Sequence, residues 1–318
     1  MCERIHFRPG RIALAVLALA GSAAVEARGV DIFWRNMETG QTVVWRAGSA
    51  LDQRTDATVA DQDWVVVGSC RFDNTGGGGG VVWRHRLSGR NVMWLAGSAS
   101  ASEELATVNR QAWVVAGTGD FDGDRGDDLL WHDPSTGRST IWRLGLATHQ
   151  MPVASVADAS WRIAGVGQFD GDQRADILWR NASSGRVVLW RSGDAALSRE
   201  LDRVANPAWT VAGIGDFDGD GEDDLFWRNT TSGMNAIWRS GDAGTPRAVA
   251  AVLDPAWHVA GVGDFNGDHV EDVLWRHQGS GRNAIWLSAN AATQQPMAPV
   301  GLAWQVVAVE DFDGYWDY

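Results

Sequence analysis

The chain of 318 residues carries 40 acidic and 27 basic side chains, which gives a formal net charge of −13 at pH 7. This acidic balance argues against a nucleic-acid partner. Every basic residue in that count is an arginine, which excludes Schiff-base chemistry, a P-loop lysine and a lysine general base.

The N-terminal 27 residues have the pattern of a signal peptide. Arg4, Arg8 and Arg11 form a basic start, residues 12–20 are apolar but too few to span a bilayer, and Ala27 ends a small-residue cleavage site. We therefore expect residues 1–27 to be removed. The mature protein, residues 28–318, is predicted to be secreted or periplasmic, without a membrane span.

Cysteine usage and charge placement indicate how such an exported chain is held together. Cys2 belongs to the predicted signal peptide, so Cys70 is left alone and no intramolecular disulfide can form. An exported fold without disulfides has to be held by its core or by metal. The carboxylates cluster in loops, which suggests cations.

Tryptophan spacing defines a repeat. Eighteen of the 19 tryptophans recur in steps of 47 to 49 residues, and only Trp316 lies off this lattice. A period in this range indicates a supersecondary unit that buries its apolar face against its own copies. The first series is Trp64, Trp113, Trp161, Trp209, Trp257 and Trp304; the second is Trp34, Trp83, Trp131, Trp179, Trp227 and Trp275; the third is Trp45, Trp94, Trp142, Trp190, Trp238 and Trp286.

One repeat, residues 209–256, predicts four strands. Residues 209–217 alternate bulky and small side chains and predict the first strand, and 216–224 form an acidic loop. Residues 225–228 and 235–238 predict a second and a third strand on either side of a turn, and 247–253 can form a fourth. Four short strands in about 48 residues are typical of one propeller blade. The predicted fold is all-β, a six-bladed β-propeller of four-stranded antiparallel blades. A β-sandwich, the alternative, does not require such regular spacing.

The two ends of the chain are predicted to share one blade. The last repeat starts at Trp304 and stops within its acidic loop, and residues 31–34 supply the strand that should follow. Pairing them closes the ring without a free sheet edge. The alternative is a chain cropped within a blade. Each lattice tryptophan could bury about 150–250 Å², so most of them are predicted to be structural.

The acidic loops predict calcium sites. Carboxylates at loop positions one, three, five and nine, with glycine at four, can converge on one centre, and a carbonyl at position seven completes about six oxygen ligands. Magnesium prefers a stricter octahedron, and transition metals prefer His or Cys. The alternative is that these aspartates only form turns. The candidate ligands are Asp120, Asp122, Asp124 and Asp128; Asp170, Asp172 and Asp176; Asp216, Asp218, Asp220 and Asp224; and Asp264, Asn266, Asp268 and Asp272.

Three loops depart from this pattern. Gln168 stands at position one of the loop that contains Asp170, so a weaker site is expected there. The loop shared by the chain ends would use Asp311, Asp313 and Asp31, with Tyr315 in place of a carboxylate. The loop of residues 71–80 has lost its ligands, and no ion is expected in it.

The segment Gly215-Asp216-Phe217-Asp218-Gly219-Asp220-Gly221, followed by Asp224-Leu225-Phe226-Trp227, is similar to the FG-GAP/VCBS repeat of integrin-α-like propellers. The resemblance extends over residues 31–318, because the motif recurs in register. It implies a β-propeller with calcium in the aspartate-rich loops.

The predicted function is an exported, monomeric, calcium-binding module for a glycan, protein or cell-surface ligand, and not an enzyme. A quinone-dependent dehydrogenase or hydrolase, or a passive scaffold, remains an alternative. One arginine follows each of five second-series tryptophans, and these arginines either coordinate an anionic or polyhydroxy ligand or pair within the fold. They are Arg35, Arg84, Arg180, Arg228 and Arg276.

Overall fold

The computed structural model describes residues 29–72 and 78–314. The predicted signal peptide, Tyr315 and Trp316 lie outside these ranges. The described chain forms 24 strands and eight three-residue 3-10 turns. The strands are β1 (Asp31–Asn36), β2 (Thr42–Trp45), β3 (Gln53–Thr55), β4 (Trp64–Cys70), β5 (Gly80–His85), β6 (Asn91–Trp94), β7 (Ser102–Leu105), β8 (Val114–Gly119), β9 (Asp128–Asp133), β10 (Arg138–Trp142), β11 (Gln150–Val153), β12 (Trp161–Gly167), β13 (Asp176–Asn181), β14 (Val187–Trp190), β15 (Ser198–Leu201), β16 (Trp209–Gly215), β17 (Asp224–Asn229), β18 (Asn235–Arg239), β19 (Asp242–Val249), β20 (Trp257–Gly263), β21 (Asp272–His277), β22 (Asn283–Trp286), β23 (Gln294–Met297) and β24 (Trp304–Glu310).

Six four-stranded antiparallel sheets form the six predicted blades. Blade 1 has the order β24-β1-β2-β3, and blades 2 to 6 follow as β4–β7, β8–β11, β12–β15, β16–β19 and β20–β23. In blade 1 the pairing runs from Asp31 opposite Glu310 to Asn36 opposite Trp304. The prediction that the two ends of the chain share a blade is therefore confirmed.

The first strand of each blade faces the centre of the ring. The strands β24, β4, β8, β12, β16 and β20 contact one another in a closed cycle. Glycine permits this approach, because a Cβ at the glycine of one blade would lie within 3.0 Å of a branched side chain of the next. The glycine and its neighbour are Gly68 and Thr118, Gly117 and Val166, Gly165 and Ile214, Gly213 and Val262, and Gly261 and Val309.

Short turns join the third and fourth strands. Each third strand except β18 ends in a 3-10 turn whose central residue has a positive φ, between 44° and 50°. In blade 5, β18 and β19 continue directly into each other around Ser240 and Gly241. The turns are Arg46–Gly48, Leu95–Gly97, Ala99–Ala101, Arg143–Gly145, Arg191–Gly193, Ala195–Leu197, Leu287–Ala289 and Ala291–Thr293.

Tryptophan and arginine interlock neighbouring blades. All six second-series tryptophans are 1% exposed, and each packs against the third-series indole of its own blade. The arginine after each tryptophan stacks on the second-series indole of the next blade, for example Arg228 over Trp275 at 4.9 Å and Arg276 over Trp34 at 5.0 Å. In blade 3, His132 takes this place, with its ring edge-on to Trp179.

These five arginines are structural. Arg276, 4% exposed, donates to the carbonyls of Gly301 and Trp304 in the next blade at 3.0 and 2.7 Å. Arg228 bonds the Trp257 carbonyl in the same way, at 3.1 Å. Of the two roles considered from the sequence, packing within the fold is the one that the contacts support, because each guanidinium group stacks on an indole and donates to main-chain carbonyls.

Candidate metal centres in the blade loops

Position nine of the acidic loop is a buried aspartate that joins two parts of its blade. In blade 5, Asp224 is 0% exposed; its Oδ2 accepts the Phe217 N–H at 3.1 Å and its Oδ1 accepts the Ser240 N–H at 2.9 Å. Asp128, Asp176, Asp272 and Asp31 make the same two contacts in their blades. A carboxylate has about four lone-pair positions, so each oxygen retains one acceptor direction.

Position one orders the loop from within. Asp216 Oδ1 accepts the Gly219 N–H at 2.6 Å, and its Oδ2 accepts the Gly221 N–H at 2.8 Å. Asp120 and Asp264 collect the N–H groups of their own loops in the same manner. These bonds fold the loop around the position-one carboxylate, which lies where the sequence predicts an ion.

Three loops bring three carboxylates together. In each group one oxygen per residue lies within 4.8 Å of the others; the groups are Asp120, Asp122 and Asp128; Asp170, Asp172 and Asp176; and Asp216, Asp218 and Asp224. The structure thus gathers nine of the predicted ligands. Asp124 and Asp220 are exposed and stand outside these groups, where each caps the next turn of its loop.

Blade 6 differs from these three loops. Asn266 replaces the position-three carboxylate, and its side-chain amide donates to Asp268 at 3.0 Å. Asp264 and Asp272 remain buried at 5% and 0% exposure. Among residues 29–72 and 78–314, this loop holds no group of three converging carboxylates.

An arginine that the sequence analysis did not identify pairs with position three. It is the residue directly after the third-series tryptophan: Arg143 reaches Asp122 at 2.8 Å, and Arg239 reaches Asp218 at 3.0 Å. Arg191 and Arg46 make the equivalent pairs with Asp170 and Asp313. Blade 6 has Leu287 there, opposite the neutral Asn266. The sequence alone does not pair the two positions, because blade 2 also has a leucine, Leu95, although its loop keeps an aspartate at position three.

Burial and mutual repulsion raise the pKa values of the position-nine carboxyls. Burial is the larger cause, and the carboxylates of positions one, three and five add to it, whereas the two main-chain N–H bonds oppose it. The pKa is raised to about 7 for Asp128 and Asp272 and to about 6 for Asp176 and Asp224. A bound cation would relieve this cost.

Position eight links each loop to the preceding blade. Its N–H donates to the position-one carbonyl of that blade at 2.5 to 2.8 Å in all six interfaces. The donor and acceptor pairs are Val30 and Asp264, Gly79 and Asp311, Asp127 and Arg71, Ala175 and Asp120, Asp223 and Gln168, and Glu271 and Asp216. Each candidate ion ligand at position one therefore also belongs to a blade interface.

The FG-GAP-like repeat model matches residues 168–227 and 216–275, two consecutive units with the loop geometry above. The chain is a six-bladed β-propeller that contains FG-GAP-like repeats. No curated protein matches its sequence.

Solved structures share the fold at low identity. A chain from a nidogen–laminin complex aligns over 85% of the FG-GAP propeller and 92% of its own length, at 11% identity and TM-score 0.53. A streptogramin B lyase aligns over 87% and 85%, at 8% identity and TM-score 0.51. A calcium-binding protein, regucalcin, from Agrobacterium tumefaciens aligns over 73% and 74%, at 13% identity and TM-score 0.47. At these identities the likeness shows the fold alone.

One Ser-His-Asp arrangement in the FG-GAP propeller is a turn cap. Ser88 Oγ lies 2.9 Å from His85 Nδ1, and His85 Nε2 lies 3.0 Å from Asp61 Oδ2. His85 Nδ1 also accepts the Ser88 main-chain N–H at 3.0 Å. In blade 4 the amide oxygen of Asn181 accepts the same turn contacts from Ser184. The Asn181 amide cannot act as a base, yet it makes the same hydrogen bonds as His85. We therefore interpret the Ser-His-Asp arrangement as one that closes a turn.

None of the helices in residues 29–72 and 78–314 has the length and hydropathy that crossing a bilayer requires.

Proposed function

We propose that this FG-GAP propeller is an exported, calcium-stabilised binding module. The observation that carries the proposal is the convergence of three carboxylates within 4.8 Å in the loops of blades 3, 4 and 5. Oxygen-only ligands on a flexible loop suit calcium better than transition metals. The raised pKa values of buried Asp128 and Asp224 support the need for a cation at these loops.

The same residues indicate how calcium would act. In blade 5, Asp216, Asp218 and Asp224 would hold the ion, with Asp220 close by in the same loop. Because the Asp216 carbonyl accepts a hydrogen bond from Glu271 of the next blade at 2.8 Å, an ion there would stiffen a blade interface as well as a loop. Binding would also release protons from carboxyls whose pKa values are raised.

The second-series indoles and the arginines that follow them are occupied in packing, so we assign them no catalytic role. We propose a glycan as the ligand, recognised by the monomeric protein outside the cell, and no enzymatic activity. The role of Ser88, His85 and Asp61 as a turn cap supports this, because the repeats satisfy the same turn without a histidine. Failure to turn over a panel of hydrolase and dehydrogenase substrates is the expected result; turnover at any reproducible rate would contradict it.

The calcium proposal is tested by thermal melting with and without a chelator. Removal of calcium should lower the melting temperature and change the tryptophan emission, because the loops lie beside the indole core. The double variant Asp216→Ala with Asp220→Ala should reduce the calcium stoichiometry by one and leave the loop of Asp120 intact. An unchanged melt after chelation, or loss of all binding in the double variant, would contradict independent stabilising sites.

A further inference from the structure

A cavity of about 520 Å³ opens on one face of blade 3. Its walls include one tryptophan of each series, Trp113, Trp131 and Trp142, and its polar lining includes Thr140 and Gln150. No acidic side chain lines it. The volume falls within the range of about 300–1,000 Å³ that small-molecule sites occupy.

The cavity lies beside an indole N–H that lacks the glutamine partner it has in blades 1 and 6. In blade 6 the Trp286 N–H donates to Gln294 Oε1 at 3.2 Å, and blade 1 has the same bond. Gln150 occupies the equivalent place opposite Trp142, but its amide donates to the Ala147 carbonyl at 2.8 Å. Trp142 is 6% exposed, and its N–H, like those of the six second-series tryptophans, finds no acceptor in the described parts of the chain. An unpaired buried donor of this kind costs about 1–3 kcal/mol.

A second element, found in three of the six blades, is also missing here. In blades 2, 4 and 6 an arginine covers the first-series indole at 5.4 to 5.6 Å: Arg90 over Trp64, Arg186 over Trp161 and Arg282 over Trp257. Glutamates on the fourth strand hold the first two arginines in place. In blade 3 that strand carries Pro152, and Arg138 stacks on no ring within residues 29–72 and 78–314. The Trp113 indole, which lines the cavity, therefore lacks the stacked arginine of blades 2, 4 and 6.

We propose that this cavity binds one pyranose residue of a glycan. The Trp113 indole, on which no arginine stacks, offers an apolar face for the C–H groups of a sugar ring, and the Trp142 N–H, Thr140 and Gln150 offer partners for its hydroxyls. A purely apolar ligand would leave the indole N–H unpaired, and a cationic ligand would find no carboxylate. The inference rests on the proposed binding function and gives it a location and a ligand class.

Blade 5 has a smaller cavity at the equivalent place. It measures about 300 Å³ and is lined by Trp209, Trp227 and Trp238. Met234 stands at the position of Arg138, so no arginine covers this blade's first-series indole either. Ala236 replaces Thr140 in the lining, which removes a hydroxyl partner. Blade 3 is therefore the stronger site.

The test restores the cover that blade 3 lacks. Pro152→Glu places a carboxylate where blades 2 and 4 have one, so Arg138 should be drawn over Trp113 and close the cavity. Pro296→Glu is the matched control, because Arg282 already covers Trp257 in blade 6. Trp142→Phe is a second test, since it keeps an aromatic ring and removes the N–H.

The probes are the methyl glycosides of glucose, galactose, mannose, fucose and N-acetylglucosamine, titrated into calcium-saturated protein and followed by calorimetry and ligand-observed NMR. At least one should bind with a dissociation constant on the order of 1 mM. Pro152→Glu and Trp142→Phe should each weaken binding about tenfold, and Pro296→Glu should leave it unchanged. Thermal melts establish that each variant is folded.

Each remaining outcome overturns a defined part of the inference. Binding that both cavity variants leave intact would place the sugar elsewhere and remove the assignment of blade 3, while the proposed binding function would stand. If no glycoside binds, the sugar class is wrong. A pull-down with extracellular proteins in calcium then decides whether the broader binding function survives.

Discussion

At the scale of single residues, position nine of the loop combines a structural and a candidate ion-binding role. Asp224 accepts main-chain N–H groups from Phe217 and Ser240, which lie 7 and 16 residues away along the chain. Asp220, at position five of the same loop, is exposed and accepts only from Glu222. The two aspartates therefore allow fold and ion binding to be separated.

Asp224→Ala should destabilise the metal-free protein by about 3 kcal/mol, because two buried main-chain donors lose their acceptor. Asp220→Ala should cost well under about 1 kcal/mol in the same conditions, and should act mainly on calcium affinity. Urea denaturation in the presence of a chelator measures both. Equal destabilisation by the two changes would argue against the structural role of position nine.

The arginine beside position three competes with an ion for the same carboxylate. Arg239 pairs with Asp218 at 3.0 Å, and its side chain is 50% exposed. Arg239→Leu, the residue type that blade 6 carries at Leu287, should therefore raise calcium affinity at blade 5 several-fold. The loss of metal-free stability should be small, since exposed ion pairs contribute about 0–1 kcal/mol. Calcium titration by calorimetry tests this; unchanged or weaker binding would mean that the arginine supports the ion site.

At the scale of strands, the inner interfaces match a glycine on one blade with a branched residue on the next. Blade 1 carries Ala308 at the glycine position, and the facing position in blade 2 is Ser69, the smallest of its series. The Ser69 hydroxyl donates to the Val309 carbonyl at 3.3 Å, which places β4 against β24. Side-chain volume is thus conserved across this interface.

The blade 5–6 interface provides the corresponding test. Gly213→Ala should cost about 2 kcal/mol through overpacking against Val262. Combining it with Val262→Ser reproduces the Ala308 and Ser69 arrangement, so the double variant should be more stable than the sum of the single changes predicts, by about 1 kcal/mol. Denaturation midpoints of the four proteins decide this. Additive costs would show that the two positions do not share one space.

The strands could be predicted because tryptophan, glycine and aspartate repeat in register, and the closure because both chain ends hold complementary parts of one repeat. The pairing of Arg239 with Asp218 could not, since 21 residues separate them and only the blade geometry brings them together. Because side chains alternate along a strand, Arg228 points to the face of β17 opposite Trp227. The sequence did not show whether that face meets solvent or the next blade, because this depends on the spacing between blades.

At the scale of the whole molecule, acidic side chains accumulate at the blade interfaces. Burial is the main cause that raises the pKa of Asp127 to about 6, of Asp223 and Glu310 to about 7, and of Glu271 to about 8. Glycine makes room for two of them: a Cβ at Gly215 would meet Glu271, and one at Gly79 would meet Glu310. Neighbouring carboxylates add to each shift.

These shifts predict a metal-free protein that becomes less stable as the pH rises. An acid with a raised folded-state pKa contributes full stability below its unfolded pKa of about 4, and this contribution is lost as the pH passes through the folded values. The melting temperature should therefore be lower at about pH 9 than at about pH 5. Glu271→Gln should reduce the difference, and the exposed-site control Glu103→Gln should not. A melting temperature that rises with pH would contradict this.

The pairing of Asp31 with Glu310 brings the start of β1 and the end of β24 together at the same end of the blade 1 sheet. A force that draws residues 30 and 311 apart would act on the hydrogen bonds between β1 and β24 one after another, as in a zipper, and not on all of them at once. The force needed to separate the two strands would therefore be set by one pair of hydrogen-bonded residues at a time. Traction applied across two other blades would instead load several sheets together.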